Sequence, residues 1–199
     1  MKPDSGAIEL SGSPIGRRSP RDVARLGISR SFQIPQLFIE LTAAENLTVA
    51  VSSAEGGRLS LTVPADGGDR RDKAIALLDR FGLAGHADRP VSELAGGVRK
   101  LVDIAMALAR RPKLLLLDEV MAGLNPSEAS KALDMIWSAQ DQFAITILWI
   151  EHVMKIIMNA TQRVVVLHYG KKIAEGPPRE VTSDPKIIEA YLGAKYAQH

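Results

Sequence analysis

The run LLLLDE, Leu114 to Glu119, ends in two adjacent carboxylates, Asp118 and Glu119. Paired acids after a buried strand suit phosphoryl transfer: the first holds Mg2+, directly or through water, and the second orients and deprotonates the attacking water. The same pair could instead cap the next helix or face water. Upstream of it, Gly96 and Gly97 stand where a helix begins. A helix N-terminus presents unpaired N–H groups and the positive end of a dipole to an anion, although a tight turn also uses two glycines. Gln33 at the end of one apolar strand and His152 after another complete the set. In an open α/β sheet, ligands bind outside the carboxyl ends of the strands, so these residues can converge on one site.

The elements that must position them follow from periodicity and capping. AIEL and the following Ser-Gly read as a short strand and turn. Ser19 as N-cap, Pro20 at N1 and Asp22 at N3 open a helix that Gly27 closes. ISRSFQIPQLF is a strand whose pattern breaks at Gln33, because Pro35 cannot continue a central ladder. TAAENLTVAV and RRDKAIALLDRFGL read as helices flanking a loop-like GGRLSLTVPADGG, which makes 41–94 a helical insert. Leu101, Ile104, Ala105 and Leu108 form one apolar helix face beginning after the glycine pair. Leu114 to Leu117 and AITILWI read as strands, the first covered on both faces. Between them runs a helix with Asn125 as N-cap, Pro126 at N1 and Glu128 at N3, so the crossover is right-handed and parallel. RVVVLHYGKKIAEG is a hairpin turning at Tyr169-Gly170, and DPKIIEAYLG a short closing helix. Trp137 and Trp149 fall in elements expected to be buried. Leu37 and Phe38 either pack internally or offer an apolar contact to a partner.

Composition narrows the function classes. The 199 residues are 46% hydrophobic and 24% charged, which suits one domain or a core with a small subdomain. There is no cysteine, hence no disulfide framework and no Cys-based zinc site, and nothing demands an oxidising compartment. The sequence has neither a membrane-spanning apolar run nor a secretory h-region. Net charge +2 is too mild to indicate nucleic acid. The cluster Arg17, Arg18, Arg21, Arg25 and Arg30 reads as a solvated face or an acidic partner's contact.

In content, order and spacing the motifs resemble those of the ATP-binding subunits of ABC transporters. LAGGV, Leu94 to Val98, is similar to the family's LSGGQ signature, LLLLDE to its Walker B strand and catalytic glutamate, and AGLNP, with Asn125, to its D-loop. SFQ resembles the Q-loop and WIEH the switch histidine. ARLGISRSFQIPQLF and the stretch from ILWIEH to DPKIIEAYLG narrow the likeness to the branched-chain amino acid type.

The resemblance implies an α/β fold of the P-loop NTPase type. A mainly parallel sheet would form the core from 1–40 and 95–199, with 41–94 a helical subdomain. It further implies ATP and Mg2+, with Asp118 and Gln33 at the metal, Glu119 activating water and His152 on the γ-phosphate. Leu94, Ala95, Gly96, Gly97 and Asn125 would face nucleotide across a dimer. The partners implied are a second ATPase subunit, as homo- or heterodimer, and membrane permease subunits that choose the cargo. The chain would then be cytoplasmic and peripheral on the inner face of the membrane, which it meets only through partners.

Departures set alternatives beside this reading. No stretch reads G-x-x-x-x-G-K-[ST]; GSPIGRRS has the wrong glycine spacing and no lysine. PDSGAIEL resembles the segment just after the family's P-loop helix, so the expectation is an N-terminally truncated core without the central P-loop strand. Ala95 replaces the signature serine, Val98 its last polar residue, and Val120 the proline usual after the glutamate. A non-catalytic partner that keeps the signature contacts is the alternative. A DNA-repair ATPase of the same family fits less well, because the insert is short.

Overall fold

The computed structural model describes residues 3–55, 67–185 and 187, which divide into two compact units, 1–150 and 151–199. In the first unit, β1 (Glu9–Leu10) pairs antiparallel with β2 (Ser13–Pro14) across Ser11 and Gly12, both at positive φ. α1 (Pro20–Arg25) starts where the sequence caps it: the Asp22 N–H donates to Ser19 Oγ and Pro20 fills N1. Gly27, at φ +98, turns the chain into β3 (Ile28–Ser31). The strand stops two residues short of Gln33.

α2 (Ala43–Ala54) begins with a complete capping box between Thr42 and Glu45. The Thr42 backbone and hydroxyl donors hold the Glu45 carboxyl below its ordinary range. α3 (Gly67–Arg80) ends at Phe81-Gly82, as the sequence requires. Most of the loop expected before it lies outside the described residues. Short 3-10 turns at Ala84–His86 and Val91–Glu93 lead to α4 (Gly96–Ala109). α4 packs against α2, α3 and α5 (Pro126–Phe143) and lies on the sheet at β3. The Asn125–Glu128 capping box starts α5, as expected.

The sheet is parallel, in the order β3, β4 (Leu114–Asp118), β5 (Thr146–Ile150). Ser31 pairs with Leu117 and Asp118 with Ile150, so all three strands finish level at one edge. Residues in register share a face. Ser31, Leu117 and Trp149 look toward α4; Arg30, Leu116 and Leu148 look the other way.

Here the structure corrects the sequence reading. β4 is covered fully on one face only: Leu115 and Leu117 are buried, but Leu114 and Leu116 are half-buried, and on β5 Leu148 and Ile150 are each 60% exposed. An apolar run reports that both faces are greasy, not that a second layer is there to cover them. Trp137 and Trp149 are likewise half-buried, and the Trp149 indole N–H lies out of solvent without a partner.

In the second unit, α6 (Met154–Ala160) precedes a hairpin of β6 (Val164–His168) and β7 (Lys171–Gly176). It turns at Tyr169 and Gly170, both at positive φ, as its sequence implies. α7 (Pro178–Ser183), started by Pro178 at N1, was not anticipated, and the closing helix expected over 184–193 lies mostly outside the described residues. Val166, Val181 and Ile187 form this unit's small core.

Two expectations follow. Asn46 is wholly buried; its amide donates to the carbonyls of Phe38, Leu41 and Thr42 and its oxygen accepts from the Phe38 N–H at 2.9 Å. Asn46→Leu strands these groups and should cost about 2 to 4 kcal/mol in urea denaturation. The open apolar row at Leu148 and Ile150 should make the chain self-associate as its concentration rises. Sedimentation velocity on the doubly substituted Leu148→Lys, Ile150→Lys chain should find that association suppressed.

Candidate functional site

Level strand ends bring the two central motifs together. Gln33, two residues past β3, donates its Nε2 to Glu119 Oε2 at 2.8 Å, joining positions 86 apart in sequence. Glu119 itself stands at φ +48, a conformation that costs a non-glycine residue about 1 kcal/mol or more. Its N–H is held by the Ile150 carbonyl at 2.9 Å. The two consecutive acids take different partners. Asp118 remains on the open face of the sheet, where Arg30 Nη2 meets its Oδ2 at 2.8 Å. The Arg30 guanidinium also lies over the Phe32 ring, 4.4 Å from its centre. The sequence offers Arg30 only as part of a solvated face or an acidic partner's contact; the register of β3 on β4 sets it diagonal to Asp118.

The glycine pair opens α4 as expected. Ala95 is its N-cap and makes no side-chain cap bond, so first-turn N–H groups are left for an outside acceptor. Leu94 is buried, 4% exposed, so the segment presents Ala95 and Gly96 outward. The glycines differ in their surroundings. A Cβ on Gly96 would meet nothing within 4 Å, whereas one on Gly97 would overlap the Glu128 carboxylate. That carboxylate also accepts the Asn125 N–H at 2.9 Å, so the Asn125 cap and the signature helix meet at Glu128. Lys100 Nζ donates to the Ala122 carbonyl, tying α4 to the loop after Glu119. Between them is an open cleft of about 390 Å3, lined by Ile34, Leu37, Ile39, Gly96, Lys100 and Gly123 among others.

His152 belongs to the second unit, exposed and just ahead of α6. Thus Gln33, Asp118 and Glu119 form one group, and Asn125, Gly96 and Gly97 a second.

A family model of ABC transporters matches residues 1–122, and one of branched-chain amino acid ATP-binding cassette transporters matches 171–197. The chain belongs to the ABC transporter family. It is 37% identical to the high-affinity branched-chain amino acid transport ATP-binding protein LivG of Salmonella typhimurium, over 96% of this chain and 78% of that protein. It is 34% identical to BraF of Pseudomonas aeruginosa, which carries the same description, with the same coverage. Among solved structures, an ABC transporter's ATP-binding cassette in its ADP conformation superposes with a TM-score of 0.80 at 30% identity, covering 97% of this chain and 79% of that one. A nucleotide-free cassette does so at 0.79 and 32%, with the same coverage. The ATPases of ABC transporters are transport-coupled enzymes that bind ATP, normally with Mg2+.

The residues present fit part of that ligand. Asp118 and the Gln33 amide offer hard oxygens suited to Mg2+, and the Asp118 carboxylate already accepts a cation, Arg30. Among the described residues no three His, Cys, Asp or Glu converge, so water and phosphate would have to complete a metal shell. The uncapped α4 terminus suits a phosphate oxygen. With no G-x-x-x-x-G-K-[ST] in the sequence, these residues do not form a cradle for the inner phosphates.

The two glycines separate structure from binding. Gly97→Ala should leave the chain about 0.5 to 1.5 kcal/mol less stable than Gly96→Ala does, because its methyl displaces the flexible end of Glu128 and weakens that carboxylate's bond to the Asn125 N–H. Gly96→Ala, in open space on a helix, should hold stability or raise it slightly. Thermal melts of the two variants side by side check the contrast.

Proposed function

We propose that this chain is the ATP-binding subunit of an ABC importer for branched-chain amino acids or related small solutes. It works paired with a second ATPase subunit, on permease subunits at the inner face of the membrane. The observation that carries the proposal is the Gln33–Glu119 hydrogen bond beside Asp118, which sets two separate motifs at one sheet edge.

In this reading Asp118 and Gln33 hold Mg2+, and Glu119 takes the proton of the attacking water. Gln33 fixes where the Glu119 carboxylate points, and His152 contacts the γ-phosphate. Mg2+ supplies charge neutralisation for the phosphoryl group when bound. Ala95, Gly96 and Gly97 close over nucleotide held by the paired subunit, with Asn125 ordering the adjoining loop. Residues 41–94 act as a helical subdomain. Ile34, Phe38 and Ile39, exposed at 72%, 52% and 55%, offer the permease an apolar surface next to the Gln33 loop. No helix among the described residues is long and apolar enough to cross a membrane.

One observation favours a second reading, a partner without turnover of its own: Arg30 occupies Asp118. Titrating an intact LivG-type subunit with this chain tests both. Calorimetry on the chain alone should find weak ATP binding. The partner's ATPase rate should change as the chain is added, and Gly96→Glu, which sets a negative charge at the α4 terminus, should abolish the change. Any turnover intrinsic to the chain should fall by about 10² to 10⁴ in Glu119→Gln, which can still accept from Gln33 but cannot take a proton. No effect on the partner at any ratio would overturn the paired-site reading.

A further inference from the structure

Asp103 lies two turns into α4, within the apolar stretch LVDIAMALA, and is only 6% exposed. A buried carboxylate is costly unless several donors meet it. Two hydrogen bonds meet this one, from Ser31 Oγ to Oδ2 at 2.5 Å and from the Gln36 N–H to Oδ1 at 3.1 Å, and the nearby Phe32 N–H also favours the charged form. Burial pushes the carboxyl above its ordinary range, while the Ser31 hydroxyl and the two backbone N–H groups oppose that rise.

The donors' positions make this more than local capping. Ser31 and Phe32 precede Gln33, and Gln36 follows it, so the carboxylate grips the loop on both sides of the residue that reaches Glu119. Within the loop, Pro35 fixes its own φ and restricts Ile34, and Gln36 Nε2 donates back to the Ile34 carbonyl at 3.1 Å. One turn earlier on α4, Lys100 reaches the Ala122 carbonyl, beyond Glu119. Positions 100 and 103 share a helix face. From that face α4 therefore holds both segments that supply the Gln33–Glu119 pair, and its first turn carries Gly96 and Gly97.

We propose that Asp103 is a positioning residue: it clamps the Gln33 loop to the signature helix, so that the Gln33 amide stays on Glu119 and moves with the α4 terminus. The importance of that pair rests on the function proposed above. The clamp itself is a matter of structure and is tested without nucleotide.

Amide exchange followed by NMR on the labelled full chain reads it directly. Asp103→Leu, of similar shape with no acceptor, should speed exchange at Gln36 about tenfold or more and shift the Gln33 side-chain amide resonances. Amides within α2 and α3 should stay within about twofold. Asp103→Asn keeps one acceptor oxygen for the backbone and an amide that can donate to Ser31 Oγ, so it should restore both the protection and the Gln33 resonances. If Asp103→Leu does not fold, Ser31→Ala reads the same clamp, as faster exchange at Gln36 against unchanged α2 and α3. Unchanged exchange at Gln36, or acceleration spread evenly over the chain, overturns the proposal. Because no nucleotide is present, such a failure counts against the clamp alone, whereas a failed partner titration counts against the proposed function alone.

Discussion

The parallel register of β4 with β3 and β5 is the constraint on which the arrangement of the first unit depends. Parallel strands in register end level, and their continuations leave the sheet at the same edge. Pairing Ser31 with Leu117 and Asp118 with Ile150 puts Gln33 within one side chain's reach of Glu119. A register slip of one residue would move Arg30 and Asp118 to opposite faces of their strands and remove both polar links at once. The Ile150 carbonyl that receives the Glu119 N–H is part of the same ladder edge, so the left-handed backbone at Glu119 is held by the sheet that it terminates.

Against this edge, α4 joins packing to chemistry. Its apolar face, with Leu101, Ile104 and Leu108 almost wholly buried, lies on α2, α5 and the sheet. Its polar contacts at Lys100 and Asp103 reach the loops beyond the strand ends. The packing supplies most of the free energy, since each such side chain is worth about 1.5 to 3 kcal/mol on burial. The polar contacts contribute less individually and decide where the functional side chains point. The function proposed above would use this division, with the α4 terminus presented to nucleotide while the helix stays anchored to the sheet that carries the acids.

The open face of the sheet is a different matter. Leu148 and Ile150 on β5 present apolar surface that an all-parallel sheet normally covers. On that same face lies the Arg30–Asp118 ion pair, with side chains 48% and 31% exposed, a setting in which such pairs contribute about 0 to 1 kcal/mol. A pair so weakly held leaves Asp118 able to exchange its arginine for another cation.

What the sequence by itself determined was local and periodic. The caps at Ser19 and Asn125, the glycine-opened α4, the apolar β4 and the Tyr169-Gly170 turn are consequences of residues within a few positions of one another, and the order of motifs was enough to identify the family. The tertiary structure decided what depends on register and layering. That Arg30 meets Asp118, that Glu128 fills the space a Cβ on Gly97 would need, and that Asp103 grips the Gln33 loop are contacts across 88, 31 and 67 to 72 positions. Asp103 did leave a trace, an acid in an apolar helix stretch, but only the fold names its partners. The half-covered β4 shows the same boundary from the other side: hydrophobicity is written residue by residue, whereas coverage depends on which elements the chain brings to each face.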